Sequence, residues 1–141
     1  MAYDPNNPFA RILRGEIPCI RLFEDEHTLA FMDIMPQADG HALIVPKVAG
    51  EDLLDTPASS LSAAISTAQR IARAVDQAFS PKGIILTQFS RPAAGQTVFH
   101  LHFHVIPVYE ATAMRNHARQ QADLTVLESQ ASRIRAALDK L

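Results

Sequence analysis

Residues 98–107 read V-F-H-L-H-F-H-V-I-P, so His100, His102 and His104 alternate with Leu101, Phe103 and Val105. Period two over this length is the pattern of a β-strand with one face in a core. Successive side chains of a strand point to opposite faces, so Leu101, Phe103 and Val105 are expected to pack inward together. The three imidazoles then share the other face, with neighbours about 6.5–7 Å apart along the strand. The chain has six histidines, and half of them fall in this one stretch. A strand face that merely met solvent would more naturally carry Thr, Lys or Glu.

Just upstream, residues 83–89 (G-I-I-L-T-Q-F) predict another strand, and residues 90–95 a loop of small residues. Before them, Thr56 and Pro57 mark a helix start, with Thr as N-cap and Pro at the first helical position. Leu61, Ala64, Ile65, Ala68, Ile71, Ala72, Val75 and Phe79 follow at spacings of three and four, one apolar helix face. Ser80-Pro81-Lys82-Gly83 ends that helix. Residues 20–24 and 28–32 read as a strand pair around a turn at 24–27, and residues 41–46 (H-A-L-I-V-P) as a third strand closed by proline. Residues 8–13 suggest a short helical turn. Beyond Pro107, residues 111–121 are polar and read as a mobile connector. Residues 123–138 offer Leu124, Leu127, Ala131, Ile134 and Leu138, an amphipathic helix that either packs back on the domain or joins a partner chain. Strands that follow one another without intervening helices favour an α+β fold with a mainly antiparallel sheet, one long central helix and a C-terminal helix.

A length of 141 residues predicts one domain, 1–141, and 48% hydrophobic with 20% charged residues is ordinary for a globular chain. The net charge of −2 supplies no global attraction to nucleic acid or to an anionic membrane, so neither is expected as a partner and any phosphate recognition must be local. Residues 1–8 lack the apolar segment of a signal peptide, and no apolar run reaches transmembrane length. Cys19 is the only cysteine; it cannot form an internal disulfide, fits a reducing compartment such as the cytoplasm, and reads as a half-buried strand residue beside Pro18.

Three chemistries suit alternating histidines. Two His at i and i+2 can reach one metal ion, although no Cys pair or acidic cluster lies nearby in sequence. An imidazole can attack phosphorus and later leave, provided a neighbour fixes its tautomer and another donates to the phosphate oxygens. The strand can also bind an anion passively, helped by the small loop Ala93-Ala94-Gly95-Gln96-Thr97 with its accessible backbone N–H groups and the Thr97 hydroxyl.

The run G-Q-T-V-F-H-L-H-F-H-V-I-P resembles the histidine-triad (HIT) signature, His-φ-His-φ-His-φ-φ with φ apolar. Upstream, R-G-E-I-P, F-E-D-E-H-T-L-A-F-M-D-I-M-P-Q-A-D-G-H-A-L-I-V-P-K and E-D-L-L-D are similar to the Hint branch of that superfamily. The resemblance spans a core of about residues 8–108, with residues 123–141 as a helical extension. It implies a HIT-like fold and a nucleotide hydrolase or transferase acting at the α-phosphorus of purine nucleotide conjugates, such as nucleoside phosphoramidates. It assigns His102 as the nucleophile that carries the nucleotidyl group, His104 to the phosphate, and His100 to the nucleophile's orientation. His41 matches a fourth histidine that orders the triad. Asp33 matches a carboxylate that holds ribose hydroxyls, and Phe9, Ile12, Phe31 and Ile34 match apolar positions around the base. Gly95, Gln96 and Thr97 match a phosphate-side loop. No cofactor is implied. Relatives of this kind form homodimers with a continuous sheet, and the same is expected here with help from residues 98–107 and the C-terminal helix.

Two departures stand out. Where many relatives read N-N-G-A-A-A-G-Q, this chain has Phe89-Ser90-Arg91-Pro92-Ala93-Ala94-Gly95-Gln96. Phe89 thus replaces an amide, and Arg91 stands where glycine is common. Some bacterial relatives bind structural zinc through a Cys-x-x-Cys and a downstream His; Asn7, Ala10 and Ala49 occupy those positions here, so no structural zinc is expected. Two other outcomes stay open: a nucleotide-binding or scaffolding protein with little turnover, and a dinucleoside polyphosphate hydrolase.

Overall fold

The computed structural model describes residues 2–110 and 121–141. Residues 111–120, most of the connector read as mobile, lie outside the described residues. Five strands, β1 (Arg21–Glu24), β2 (Thr28–Met32), β3 (Ala42–Pro46), β4 (Gly83–Thr87) and β5 (Phe103–Val108), form one sheet in the order β1-β2-β3-β5-β4. Every neighbouring pair is antiparallel. Helices α1 (Pro8–Leu13), α2 (Ala58–Phe79) and α3 (Leu124–Leu138) complete the α+β architecture. Among the described residues no helix is long and apolar enough to cross a membrane.

Both faces of the central strands are covered, which is why β2 and β3 are buried at all five positions each. On one face Ala30, Met32, Ala42, Ile44, Leu101, Phe103 and Val105 meet Ala64, Ala68, Ile71 and Val75 of α2 and Leu127, Ala131 and Ile134 of α3. The alanines of α2 let its backbone lie close to the sheet. Helix α3 therefore packs back on its own domain. On the other face Leu29, Phe31, Leu43 and Val45 pack under Phe9 of α1. His104 is in register with Leu43, so it stands on this second face, and the alternation read from residues 98–107 holds.

Four expectations need correction. The histidine strand begins at Phe103, after His100 and His102. Continuing the β3–β5 register would put Leu101 opposite Pro46, which has no N–H to donate. The Leu101 N–H bonds instead to the Gly50 carbonyl at 2.9 Å. Thr56 does not cap α2; the helix begins at Ala58 after Pro57 without a side-chain cap, and the Thr56 hydroxyl donates to the Asp52 carbonyl at 2.7 Å. Ile65, placed on the apolar face of α2, is 43% exposed, and Thr67 is buried in the adjoining turn. The fourth strand ends at Thr87, two residues early.

Candidate active site

Helix α1 brings an apolar wall to the second sheet face. Asn7 starts it by accepting the Ala10 N–H on its side-chain oxygen at 2.9 Å. This cap sets Phe9 edge-on to Phe31, with centroids 5.4 Å apart, and edge-on to His102 at 4.9 Å. Beside these rings opens a cavity of ≈ 330 Å³. Phe9, Ile12, Phe31 and Ile34 line it, and Asp33, His102 and His104 supply its polar groups. An apolar pocket with few convergent polar groups is the usual form of a small-molecule site. Ile34 is 42% exposed at its rim.

The three histidines are not a solvent-facing stripe. His100, His102 and His104 are all buried. The His102 and His104 rings approach to 5.0 Å and both line the cavity, whereas His100 does not line it.

Hydrogen-bond chemistry places the protons. A carbonyl oxygen only accepts, so each ring nitrogen facing one must carry a hydrogen. His102 Nδ1 lies 2.7 Å from the His100 carbonyl; Nδ1 therefore donates, and the neutral ring keeps its lone pair on Nε2. His100 Nε2 lies 2.7 Å from the Pro46 carbonyl and donates to it. Its Nδ1 then accepts from the Tyr3 hydroxyl at 2.6 Å. Burial pushes the His100 pKa below the ordinary histidine value, and the Pro46 hydrogen bond only partly opposes this. His100 is accordingly held neutral.

A second chain ends at His104. The Gln37 N–H donates to His41 Nδ1 at 3.0 Å, so in the neutral ring Nε2 carries the hydrogen. That nitrogen is 2.9 Å from His104 Nδ1 and 3.4 Å from Asp33 Oδ2. Donation from His41 to His104 Nδ1 puts the His104 proton on Nε2. The two cavity-lining histidines thus present opposite characters, a lone pair on His102 Nε2 and an N–H on His104 Nε2. Asp33 is also buried, and its Oδ1 accepts the Met35 N–H at 2.8 Å.

The loop before the triad is braced by the Gln96 side chain. The Gln96 side chain accepts the Arg91 N–H at 2.7 Å and donates to the Glu51 and Val98 carbonyls. Gly95 and Thr97 are exposed, and none of residues 95–97 lines the apolar cavity. Phe89, standing where an amide was expected, tilts against the His104 ring with centroids 5.7 Å apart. Arg91 has φ 79° and ψ 154°, a region populated almost wholly by glycine, at a cost of about 1–3 kcal/mol for other residues. This explains physically why glycine suits the position. Arg91→Gly is expected to raise stability by about 1 kcal/mol after the entropy cost of glycine is deducted; urea unfolding at equilibrium measures it.

Two places bear on the expectation about metals. Asn7 caps α1 and Ala10 is a buried apolar residue, so the positions of the zinc ligands in some relatives hold no thiolate. Asp33, His41 and His104 do bring ligand atoms within 4.8 Å of one another. His41 Nε2 and His104 Nδ1 are, however, joined by a hydrogen bond. An ion there would have to displace the proton that sets the His104 tautomer, so the hydrogen-bonded arrangement and an ion at this point are alternatives.

The HIT domain family model matches residues 14–111. The chain belongs to the HIT family. Among relatives, it is 40% identical over 99 residues to adenosine 5'-monophosphoramidase HNT1 of Saccharomyces cerevisiae, covering 70% of this chain and 60% of that protein. It is 35% identical over 116 residues to adenylylsulfatase HINT3 of Arabidopsis thaliana, covering 78% and 59%. A solved HIT-like protein from Bartonella henselae, described as involved in cell-cycle regulation, superposes with a TM-score of 0.90 at 46% identity, over 96% of this chain and 99% of that one. A zinc-bound histidine triad protein from Mycobacterium smegmatis gives 0.85 at 34% identity, over 96% and 94%.

The HIT match starts after α1, so two groups that touch the triad, Phe9 and Tyr3, lie outside it. Sequence reasoning found Phe9 through resemblance and missed Tyr3 entirely. It also missed the main-chain partners, the Pro46 carbonyl and the Gln37 N–H. Every residue contributes such groups, so no side-chain pattern marks them.

Proposed function

We propose that this HIT protein is a nucleotide hydrolase or transferase that cleaves purine nucleotide conjugates at the α-phosphorus, with nucleoside phosphoramidates as model substrates. The observation that carries this reading is that His102 and His104, whose hydrogen-bond partners assign them opposite tautomers, approach to 5.0 Å between ring centroids and both line the apolar pocket. In this reading the base lies among Phe9, Ile12, Phe31 and Ile34, and Asp33 accepts from ribose hydroxyls. His102 Nε2 attacks phosphorus, the P–N bond to His102 forms, and the bond to the leaving group breaks with its electron pair, an amine leaving group taking up a proton from water as it departs. The imidazolium so formed keeps Nδ1–H against the His100 carbonyl, which stabilises its charge. His104 donates to a phosphate oxygen, and His41 holds it in the donating tautomer. Water then attacks the nucleotidyl-histidine and releases the nucleoside monophosphate. The relatives named as a phosphoramidase and an adenylylsulfatase support a nucleotide substrate. The test is an adenosine phosphoramidate turned over and quenched in acid, with mass detection of a nucleotidyl adduct on His102. Tight AMP binding with neither turnover nor adduct would leave the binding-protein reading in its place.

A homodimer and a cytoplasmic location belong to the same proposal. Of the residues expected to help pairing, His100 to Ile106 are buried within the domain and one face of α3 packs on α2. The sheet edge β4 is the better candidate. Ile84, Ile85 and Leu86 are 36%, 39% and 49% exposed there, and an apolar edge strand is a template for another chain. Leu86→Asp is expected to shift the protein from dimer to monomer in sedimentation equilibrium. A wild-type protein already monomeric at micromolar concentration would refute the dimer.

A further inference from the structure

We propose that Tyr3 is a positioning residue for His102, acting through the ring and the main-chain carbonyl of His100. The inference rests on the proposed role of His102 but not on the identity of the substrate. One hold on the orientation of His102 is a peptide plane, the His100 carbonyl with the Leu101 N–H. Its carbonyl receives His102 Nδ1–H at 2.7 Å, and its N–H is tied to Gly50 at 2.9 Å. The third hold on that plane is the His100 side chain. Pro46 takes one ring nitrogen, and the Tyr3 hydroxyl donates to the other at 2.6 Å, with the two rings edge-on at 5.7 Å. Without the hydroxyl, one nitrogen of a buried ring loses its donor and His100 is held at a single point.

Tyr3 is able to do this because the arm that carries it is fastened. Asn7 donates from its backbone and its side-chain amide to the Asp4 carbonyl, at 3.2 and 2.7 Å. Arg14 reaches the Pro5 carbonyl at 2.6 Å. Asn7 is also the cap of α1, so one residue sets both the arm that reaches His100 and the helix whose Phe9 meets His102. Two of the triad rings are thereby held from one short N-terminal unit.

The experiment compares wild-type protein with Tyr3→Phe, and with a variant lacking residues 1–3. Two readouts are used: kcat and KM for the adenosine phosphoramidate, and the imidazole 15N–1H spectrum of each protein. Tyr3→Phe is expected to lower kcat about tenfold, the scale of one lost hydrogen bond, with KM within about twofold. The His100 Nδ1 resonance should move away from its hydrogen-bonded position, and the His102 Nδ1–H signal should broaden through faster exchange. The truncated variant should show the same spectral change. An unchanged kcat together with an unchanged His102 Nδ1–H signal would overturn the proposal, as would an effect confined to KM. If wild-type protein shows no His102-dependent turnover, the functional reading fails while the spectra still decide whether Tyr3 orders His102.

Discussion

His102→Ala is expected to reduce turnover of an adenosine phosphoramidate by at least about a thousandfold, with nucleotide affinity changed by no more than a few-fold. The scale follows from removal of a covalent nucleophile, where remaining catalysis comes only from binding and charge stabilisation. Most of the binding surface survives, because Ile12, Phe31, Ile34 and Asp33 still line the pocket and Phe9, which loses its edge-on contact with His102, keeps the one with Phe31. The His100 carbonyl loses its donor, but the site opens onto the cavity and water can replace it. Stability should therefore fall little compared with activity. Stopped assays over several hours, combined with AMP titration by calorimetry, separate the two effects. Near-wild-type turnover in this variant would remove His102 from the mechanism, and loss of AMP affinity in parallel with turnover would make it a binding residue. The acid-quenched adduct should be absent from the variant in either case.

Leu101→Ala, one residue away, is expected to do the reverse. Leu101 is fully buried among residues of the sheet, α2 and α3. Truncating a buried leucine loses transfer free energy and leaves a cavity, together about 2–5 kcal/mol. For a chain of this length that corresponds to a fall in Tm on the order of 10 °C. Leu101 lines no part of the pocket, so kcat per folded molecule should stay within a few-fold of wild type well below the new Tm. Calorimetry and initial rates at low temperature measure the two quantities. A Tm within about two degrees of wild type would mean that the site collapses around the smaller side chain, as some core positions can. Adjacent residues of one stretch thus divide function from stability, because their side chains leave the chain on opposite sides.

Most of the fold could be read from local pattern. Among the described residues, the positions of the five strands and three α-helices follow to within a few residues from apolar periods and from Pro, Gly and Ser punctuation. The errors fall where a residue's neighbours in space override its own preference. Thr56 is a good cap by type, yet its hydroxyl turns back to Asp52. Ile65 has the right spacing for the core but sits at the edge of the buried stripe. The triad strand starts late because proline across the sheet cannot continue the ladder, a constraint that appears only once the register is known.

For the site, side-chain chemistry was legible and proton placement was not. Three imidazoles, an upstream histidine and a carboxylate are visible as letters, and resemblance to the HIT family attaches expected roles to them. Which ring holds a lone pair depends on partners that no motif contains: the His100 and Pro46 carbonyls, the Gln37 N–H and the Tyr3 hydroxyl. Alternation in residues 98–107 decides that the histidines face away from the main core, because strand geometry is local. Whether that second face meets solvent or a closed pocket is settled by α1 folding over it, and His100 is separated from its two neighbours by contacts with residues 46 and 3, distant in the chain. Local sequence specifies the direction in which a side chain points; long-range packing specifies what it meets there, and for an imidazole that partner determines whether it accepts or donates a proton.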